Sequence, residues 1–95
     1  MLPHEIEDQL RDVKGWSYAD EGINKEFRFK DFKEAMAVMV RVGEEAEAMN
    51  HHPEWFNVYN KLNIRLSTHD AGGVTEKDLE LAKRIENIVA DAVPL

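Results

Sequence analysis

The sequence predicts an α+β fold in which a four-stranded antiparallel sheet carries three helices on one face. Three segments repeat apolar residues at helical spacing, and two pairs of short segments alternate apolar with polar residues. Short turns join the members of each pair, so the order of elements is helix, strand, strand, helix, strand, strand, helix. Hairpins connected by helices favour an antiparallel sheet with the helices packed on one side.

The first helix is predicted to begin near Pro3, because proline is tolerated in a first helical turn. Its apolar face repeats at spacings of four and three residues and consists of Ile6, Leu10 and Val13. Gly15 is suited to end this helix. We therefore expect a short amphipathic helix ahead of the first strand.

The first hairpin joins an aromatic segment, residues 16–19, to a longer alternating segment through the turn Asp20-Glu21-Gly22. Apolar side chains share one parity of the second segment: Ile23, Phe27 and Phe29. Charged side chains occupy the other parity: Glu26, Arg28 and Lys30. This alternation is typical of a half-buried strand.

The middle helix is predicted to begin at Asp31, whose carboxylate can cap it, with Glu34 completing a pair like a capping box. Its apolar face is broad and consists of Phe32, Ala35, Met36, Met39, Val42, Gly43, Ala46 and Met49. This breadth indicates that the helix buries more than one side. Pro53 is expected to end it, because a residue before proline is disfavoured in helical geometry.

The second hairpin pairs residues 54–59 with residues 62–68 and is predicted to turn near Asn60-Lys61. One face of its second strand is apolar: Leu62, Ile64 and Leu66. After a loop over residues 69–73, Thr75 is expected to cap the last helix, with Asp78 at the third position. The inner face of that helix is predicted to be Leu79, Ala82, Ile85, Val89 and Ala92, and Pro94 lies past its end.

Length and composition narrow the class of protein. The 95 residues are expected to form one domain, and the net charge of −7 comes from 12 basic and 19 acidic side chains. An acidic chain repels nucleic-acid phosphates and anionic lipids, so we expect no direct nucleic-acid ligand and no membrane association. The absence of cysteine excludes disulfides and fits a reducing compartment. With no signal segment or membrane span in the sequence, we expect a cytoplasmic protein.

Three histidines are the candidate chemical groups. His51 and His52 close the middle helix, and His69 follows the last predicted strand. Histidine is the side chain best suited to exchange protons near neutral pH. Glu47 lies one helical turn before His51, and this spacing predicts an ion pair between them. The sheet must bring His69 back to the same end of the molecule for the three side chains to act together.

Other interpretations of these residues stay open. A His-His-Pro sequence also fits an ordinary solvated helix end, and Asp78 also fits a simple helix cap. A metal site would recruit Asp70 or Asp78 to the histidines, but adjacent histidines point apart and the helical His-x-x-x-His spacing is absent. The sequence therefore favours a site without metal. Trp55 and Phe56 fit a core or an interface as well as a ligand platform.

Three longer sequence blocks resemble those of a known family. The chain reads Glu47-x-x-x-His51-His52-Pro53-Glu54-Trp55, then Leu66-Ser67-Thr68-His69-Asp70, then Gly73-Val74-Thr75-x-x-Asp78. Together they resemble pterin-4a-carbinolamine dehydratase, a family known in animals as the dimerization cofactor of a homeodomain transcription factor. The resemblance implies a four-stranded antiparallel sheet with three helices on one side. It also implies homodimers that join their sheets edge to edge and homotetramers built through the middle helices.

The implied reaction is loss of water from 4a-hydroxytetrahydrobiopterin, which gives quinonoid dihydropterin and recycles the pterin used by aromatic amino acid hydroxylases. An acid must protonate the leaving hydroxyl and a base must take the N5 proton, and two imidazoles can fill both roles. No electron is transferred, so no cofactor is expected. The implied alternative is a protein-binding module that holds the dimerization helix of a transcription factor, in which case a nuclear location is also expected.

The resemblance also implies roles for single residues. His51 and His69 match the histidines that handle the C4a hydroxyl and the transferred proton. His52 matches a third histidine that contacts the pterin. The remaining matches border the pocket, two as acidic residues and two as its wall: Glu47, Asp78, Pro53 and Trp55.

Overall fold

The structure, a computed structural model, describes residues 1–92, and its elements follow the predicted order. They are α1 (Pro3–Gln9), β1 (Ser17–Ala19), β2 (Gly22–Arg28), α2 (Phe32–Met49), β3 (Glu54–Val58), β4 (Lys61–Leu66) and α3 (Glu76–Ala92). The strands form one antiparallel sheet in the order β1-β2-β4-β3. The predicted α+β class is thereby confirmed. Pro94, expected beyond the last helix, lies outside the described residues.

One hydrophobic core lies between the sheet and the helices. Alternate residues of the two central strands point into it: Ile23, Phe27, Leu62, Ile64 and Leu66. The residues between them remain partly or fully exposed on the other face: Asn24, Glu26, Asn63 and Arg65. The core is completed by side chains from each helix, among them Ile6, Val38, Val42 and Ile85. The helices therefore cover one face of the sheet and leave its opposite face, the open face, to solvent.

The first hairpin turns where the sequence predicts. Asp20 and Glu21 adopt left-handed φ angles of 51° and 63°, as a two-residue hairpin turn requires. Trp16, just before β1, is buried and packs edge to face on Phe27 with ring centroids 6.0 Å apart. The short helix α1 ends at Gln9, and a 3-10 turn continues it to Asp12.

The core face of α2 differs in part from the prediction. It consists of Ala35, Val38, Val42 and Ala46. Val38, which the predicted face omits, is fully buried, whereas Phe32 and Met36, which it includes, are about 40% exposed. The helix packs on the sheet through one face only, so part of its broad apolar surface stays outside this chain's own core. The capping prediction at Asp31 is confirmed, since its Oδ1 accepts from the backbone N–H of Glu34 at 2.8 Å.

The end of α2 is set by Asn50, so the prediction that Pro53 ends the helix is wrong. Asn50 is left-handed, with φ of 52°. The N–H groups of Asn50 and His51 donate to the carbonyl oxygens of Glu47 and Ala46 at 3.1 and 3.0 Å. This is the Schellman arrangement, which satisfies the last helical carbonyls and turns the chain sharply. The chain leaves the helix three residues before the proline.

The second hairpin turns one residue earlier than predicted, at Tyr59-Asn60. Tyr59 takes the left-handed conformation with φ of 49°, and Lys61 already pairs with Val58. The side-chain amide of Asn60 donates to the carbonyl of Phe29 at 2.9 Å. That bond holds the turn against the end of β2 and gives the asparagine side chain a structural role in the turn.

The last helix buries a wider arc than predicted. Its buried apolar residues are Leu79, Leu81, Ala82, Ile85 and Ile88, whereas Val89 and Ala92 are only partly buried. The arc is wide because α3 packs on the sheet and also beside α2. Two ion pairs join the helices, Arg41–Asp91 at 2.9 Å and Arg84–Glu45 at 3.1 Å.

Within residues 1–92, no helix is long and apolar enough to cross a bilayer.

Candidate active site

His51 is the one site histidine that the fold buries. It is the first residue after the left-handed Asn50, and only 8% of it is exposed. Its Nε2 lies 2.5 Å from Oδ1 of Asp78, which is fully buried in the first turn of α3. An ionised carboxylate only accepts hydrogen bonds, so Nε2 carries the hydrogen in this pair. The contact joins the end of α2 to the beginning of α3.

The second oxygen of Asp78 serves the backbone and a neighbouring loop. Oδ2 accepts from the Thr68 hydroxyl at 2.8 Å and from the Thr75 backbone N–H at 2.9 Å. The Thr68 and Thr75 hydroxyls are themselves 2.7 Å apart. Asp78 is therefore both a helix cap and a partner of a histidine. Its buried charge is compensated by three donors, as a buried carboxylate requires.

Glu47 contacts a different histidine from the one predicted. Its Oε1 lies 2.9 Å from Nε2 of His52, and both side chains are exposed. The predicted ion pair between Glu47 and His51 is wrong, because the prediction assumed that the helix continues through residue 51. The left-handed Asn50 takes His51 off the helical face toward α3. His52, one residue further on, is the side chain that returns to the last turn of α2.

His69 lies at the same end of the sheet as the His-His-Pro segment. It begins a 3-10 turn after β4, and the backbone of Thr68 pairs with Gly73 to close the loop. The imidazole is 82% exposed, and its Nε2 lies 4.0 Å from Oε2 of Glu54, the first residue of β3. The loop that carries His69 thus contacts the segment that carries the other two histidines.

The fold links residues 51–54 to residues 68–69 twice. One link runs from His51 through Asp78 to Thr68, and the other joins Glu54 to His69. The three imidazoles do not form one buried cluster, since His52 and His69 face solvent. Within the described part of the chain, no three His, Cys, Asp or Glu side chains are close enough to hold a metal ion.

Two shallow cavities flank the corner of the molecule formed by residues 51–54 and 68–69. One, of about 380 Å³, is lined by Met1, Thr68, Thr75, Glu76 and Lys77. The other, of about 220 Å³, is lined by Glu54, Trp55, Phe56, Asn63 and Arg65. The first is within the size range of small-molecule pockets, roughly 300–1,000 Å³. Trp55, a predicted wall residue, lines the smaller cavity, and Pro53 precedes it as a partly exposed residue of the same segment.

Three residues beside the histidines have contacts that the sequence did not predict. Thr68 binds Asp78, Glu54 contacts His69, and Arg65 lies opposite Glu54 on the neighbouring strand with Nε 3.3 Å from its Oε2. Opposite charges facing each other across two strands are a recognised stabilising pair. The signal for Arg65 was therefore present in the hairpin, but the turn predicted at Asn60-Lys61 shifts the register by two residues and would place Ser67 opposite Glu54.

Comparison with known sequences gives one consistent family. The family model described as pterin 4 alpha carbinolamine dehydratase matches residues 1–88. A protein of Christiangramia forsetii, named provisionally as a pterin-4-alpha-carbinolamine dehydratase, is 58% identical over 85 residues, which are 90% of this chain and 88% of the relative. A protein of Opitutus terrae with the same provisional name is 54% identical over 85 residues, 88% of each chain.

Solved structures agree at the level of the fold. A crystal structure from Brucella melitensis, described as a transcriptional coactivator/pterin dehydratase, superposes with a TM-score of 0.92 at 39% identity and covers 95% of this chain and 98% of its own. A pterin dehydratase-like protein described as a RuBisCO assembly factor in the alpha-carboxysome superposes with a TM-score of 0.66 at 17% identity, over 79% of this chain and 87% of its own. The second likeness concerns the fold alone.

Proposed function

Because the chain belongs to the pterin 4 alpha carbinolamine dehydratase family, we propose that it removes water from 4a-hydroxytetrahydrobiopterin and releases quinonoid dihydropterin. The reaction would recycle the pterin consumed by aromatic amino acid hydroxylases. The proposal includes a cytoplasmic location, supported by the acidic, cysteine-free sequence. It needs no cofactor, since the step moves protons and leaves the oxidation level of the substrate unchanged.

The chemistry requires one acid and one base. The C4a–O bond breaks, and its oxygen takes a proton from the acid and leaves as water. The base removes the proton from N5, and the electrons of that N–H bond form the C4a=N5 double bond. Imidazole side chains can serve in either role near neutral pH.

We assign the two proton transfers to His51 and His69 and a binding contact to His52. Two of the imidazoles lie within hydrogen-bond distance of a carboxylate, His51 with Asp78 at 2.5 Å and His52 with Glu47 at 2.9 Å. A carboxylate that accepts from one ring nitrogen holds the imidazole in one tautomer and one orientation. The opposite ring nitrogen is then the one free to exchange a proton with substrate.

The observation that carries the proposal is the chain of contacts from His51 through Asp78 to Thr68, the residue before His69. These bonds connect His51, through a buried carboxylate, to the loop that carries His69. A solvated helix end would need no such partner, so the contacts of His51 favour a functional site over an ordinary helix terminus. In the proposal, the pterin ring lies across this corner, with Pro53 and Trp55 along its edge.

The direct test is decay of the 4a-hydroxypterin absorbance in the presence of purified protein. The wild type should accelerate it, and the double variant His51→Ala, His69→Ala should lose the acceleration. His4→Ala is the control for loss of a histidine as such, since His4 is exposed on α1 and is not one of the three candidate histidines. Wild-type protein that leaves the decay at its spontaneous rate would disprove the dehydratase proposal.

A second function, protein binding, is supported by the apolar stripe of α2, defined as Phe32, Met36 and Val40. These side chains are between 40% and 57% exposed and recur every fourth residue along one flank. An exposed apolar helical face of this kind fits association with other helices. We propose that the stripe mediates homotetramer formation and that homodimers join their sheets edge to edge. A transcription factor dimerization helix can also occupy the stripe.

The binding role is tested apart from catalysis. A transcription factor dimerization helix should bind wild-type protein and fail to bind Val40→Glu, while dehydratase activity per folded site is retained. Binding that survives this substitution would exclude the stripe as the docking surface.

A further inference from the structure

Arg65 spans the open face of the sheet and connects three strands. Its Nη2 donates to the carbonyl of Asp20 at 2.8 Å and its Nη1 to that of Ala19 at 3.4 Å, both at the β1–β2 turn. Its Nε lies 3.3 Å from Oε2 of Glu54 on β3. The planar guanidinium offers five N–H donors in a fixed fork, so one side chain can hold all three acceptors at once.

Gly22 makes room for this arrangement. A Cβ added there would lie 1.8 Å from Nη1 of Arg65 and 2.5 Å from its Cζ. The φ angle of Gly22 is not in the left-handed region, so its backbone does not require glycine. The glycine leaves space for the guanidinium, which crosses over it and would have to move aside for a larger residue.

Glu54 receives this fixed cation on one side and an imidazole on the other. The same oxygen, Oε2, lies 3.3 Å from Arg65 and 4.0 Å from Nε2 of His69. The arginine side chain is about two-thirds buried, whereas the imidazole is 82% exposed and has Glu54 as its charged contact. An exposed histidine thus meets a carboxylate that is itself paired with an arginine bound to the backbone of the sheet.

We propose that Glu54, anchored by Arg65, positions the imidazole of His69 for proton transfer. Glu54 and Arg65 are positioning residues and touch no reacting atom. The inference rests on the proposed dehydratase function. The 4.0 Å separation is longer than a hydrogen bond, and catalytic contacts often close only when substrate binds. In the closed state, the carboxylate accepts from Nε2–H and leaves Nδ1 to exchange the proton.

The test compares Glu54→Gln, Arg65→Gln and their double variant with a matched control, Glu26→Gln. Glu26 lies on the same open face in an ion pair with Arg28, 2.8 Å from its Nε, and does not contact a histidine. Loss of an ionic hydrogen bond at His69 should lower kcat about tenfold in Glu54→Gln and change KM by less than about twofold. The control should keep both constants.

The double variant separates positioning from simple loss of charge. If Arg65 acts only through Glu54, the double variant should lose no more than Glu54→Gln alone, because the second change has nothing left to displace. Losses that multiply would overturn the arrangement.

Gly22→Ala gives an independent readout with both charged residues intact: it should displace the guanidinium and lower kcat, as expected for Arg65→Gln, with KM unchanged. An unaltered kcat in folded Gly22→Ala would also contradict the proposal.

A readout that needs no activity keeps this inference distinct from the function. The ring nitrogens of His69 report its tautomer in nitrogen-15 NMR, and their shifts should change in Glu54→Gln and stay as in wild type in Glu26→Gln. If the wild type proves inactive while the His69 signals respond to Glu54, the function fails and the positioning contact stands. If the signals do not respond, the positioning proposal fails whatever the activity.

Discussion

The Oδ1 atom of Asp78 lies 2.5 Å from Nε2 of His51, while its Oδ2 caps the helix that carries it. One fully buried carboxylate therefore completes the secondary structure of α3 and orients a histidine of the candidate site. We therefore expect substitution of Asp78 to affect stability and, under the proposed function, activity. Substitutions around it can be chosen so that one property changes more than the other.

Asp78→Asn should lower both activity and stability. The amide keeps one accepting oxygen, but its NH₂ group opposes either His51 Nε2–H or the donors from Thr68 and Thr75. We expect about 1–3 kcal/mol of lost unfolding free energy from the mismatched buried partners, and roughly a hundredfold lower kcat from the wrong imidazole tautomer. Chemical denaturation and the absorbance assay measure the two effects.

Asp31→Asn is the control for that experiment. Asp31 caps α2 through the Glu34 N–H at 2.8 Å and does not contact a histidine. Asparagine is an equally good cap, so stability should change by a few tenths of a kcal/mol and activity should persist. Equal activity losses in the two variants would mean that Asp78 acts as a cap alone.

Thr68→Val should weaken the link between the two histidine-bearing segments. It removes the hydroxyl that donates to Asp78 and leaves that buried oxygen with one donor fewer. We expect a loss of about 1–3 kcal/mol in unfolding free energy. Ser67→Ala removes a neighbouring hydroxyl bond, to the carbonyl of Glu21 on the open face, and should cost less than about 0.5 kcal/mol. Similar melting temperatures for the two variants would argue against the buried network.

Asn50→Ala tests the left-handed residue that ends α2. A Cβ-bearing residue without a polar side chain pays roughly 1–2 kcal/mol for this conformation, so thermal unfolding should shift downward. Asn50→Gly should restore or exceed wild-type stability, because glycine is the preferred residue at this position. Asn87→Ala, at an exposed site within α3, controls for loss of asparagine as such. A stable Asn50→Ala would mean that the helix end relaxes to another conformation.

Val40→Glu should reduce self-association through the apolar stripe of α2. The carboxylate would be buried without a partner in any helix-to-helix contact, and burial of an unpaired charge is strongly disfavoured. Sedimentation velocity should then show a smaller species than wild type. Ala48→Glu places the same charge on an exposed position two turns further along this helix, on the flank that faces α3, and should leave the distribution unchanged. A wild type that already sediments as a monomer would exclude the tetramer.

Periodicity in the sequence accounted for most of the fold. The inward residues of β4 and the caps at Asp31 and Asp78 follow from local patterns, because a strand alternates every residue and a cap binds within three. The face of α2 was predicted only in part, since Phe32 and Val38 are both apolar and spacing cannot say which one meets the sheet. The roles assigned to His51, His52 and His69 stay predictions until the assays are done.

By itself, the sequence determined the order of elements, the antiparallel class and which segments carry the histidines, since these depend on residue spacing and on motifs read along the chain. Only the tertiary structure decided that His51 meets Asp78, that Glu47 meets His52 and that Arg65 anchors Glu54. Those partnerships depend on one left-handed residue, Asn50, and on the register of β3 with β4. A rotation about one backbone bond redirects the chain that follows, and a register shift of two residues changes every cross-strand partner while each side chain keeps its face, so alternation along the strand does not distinguish the two registers.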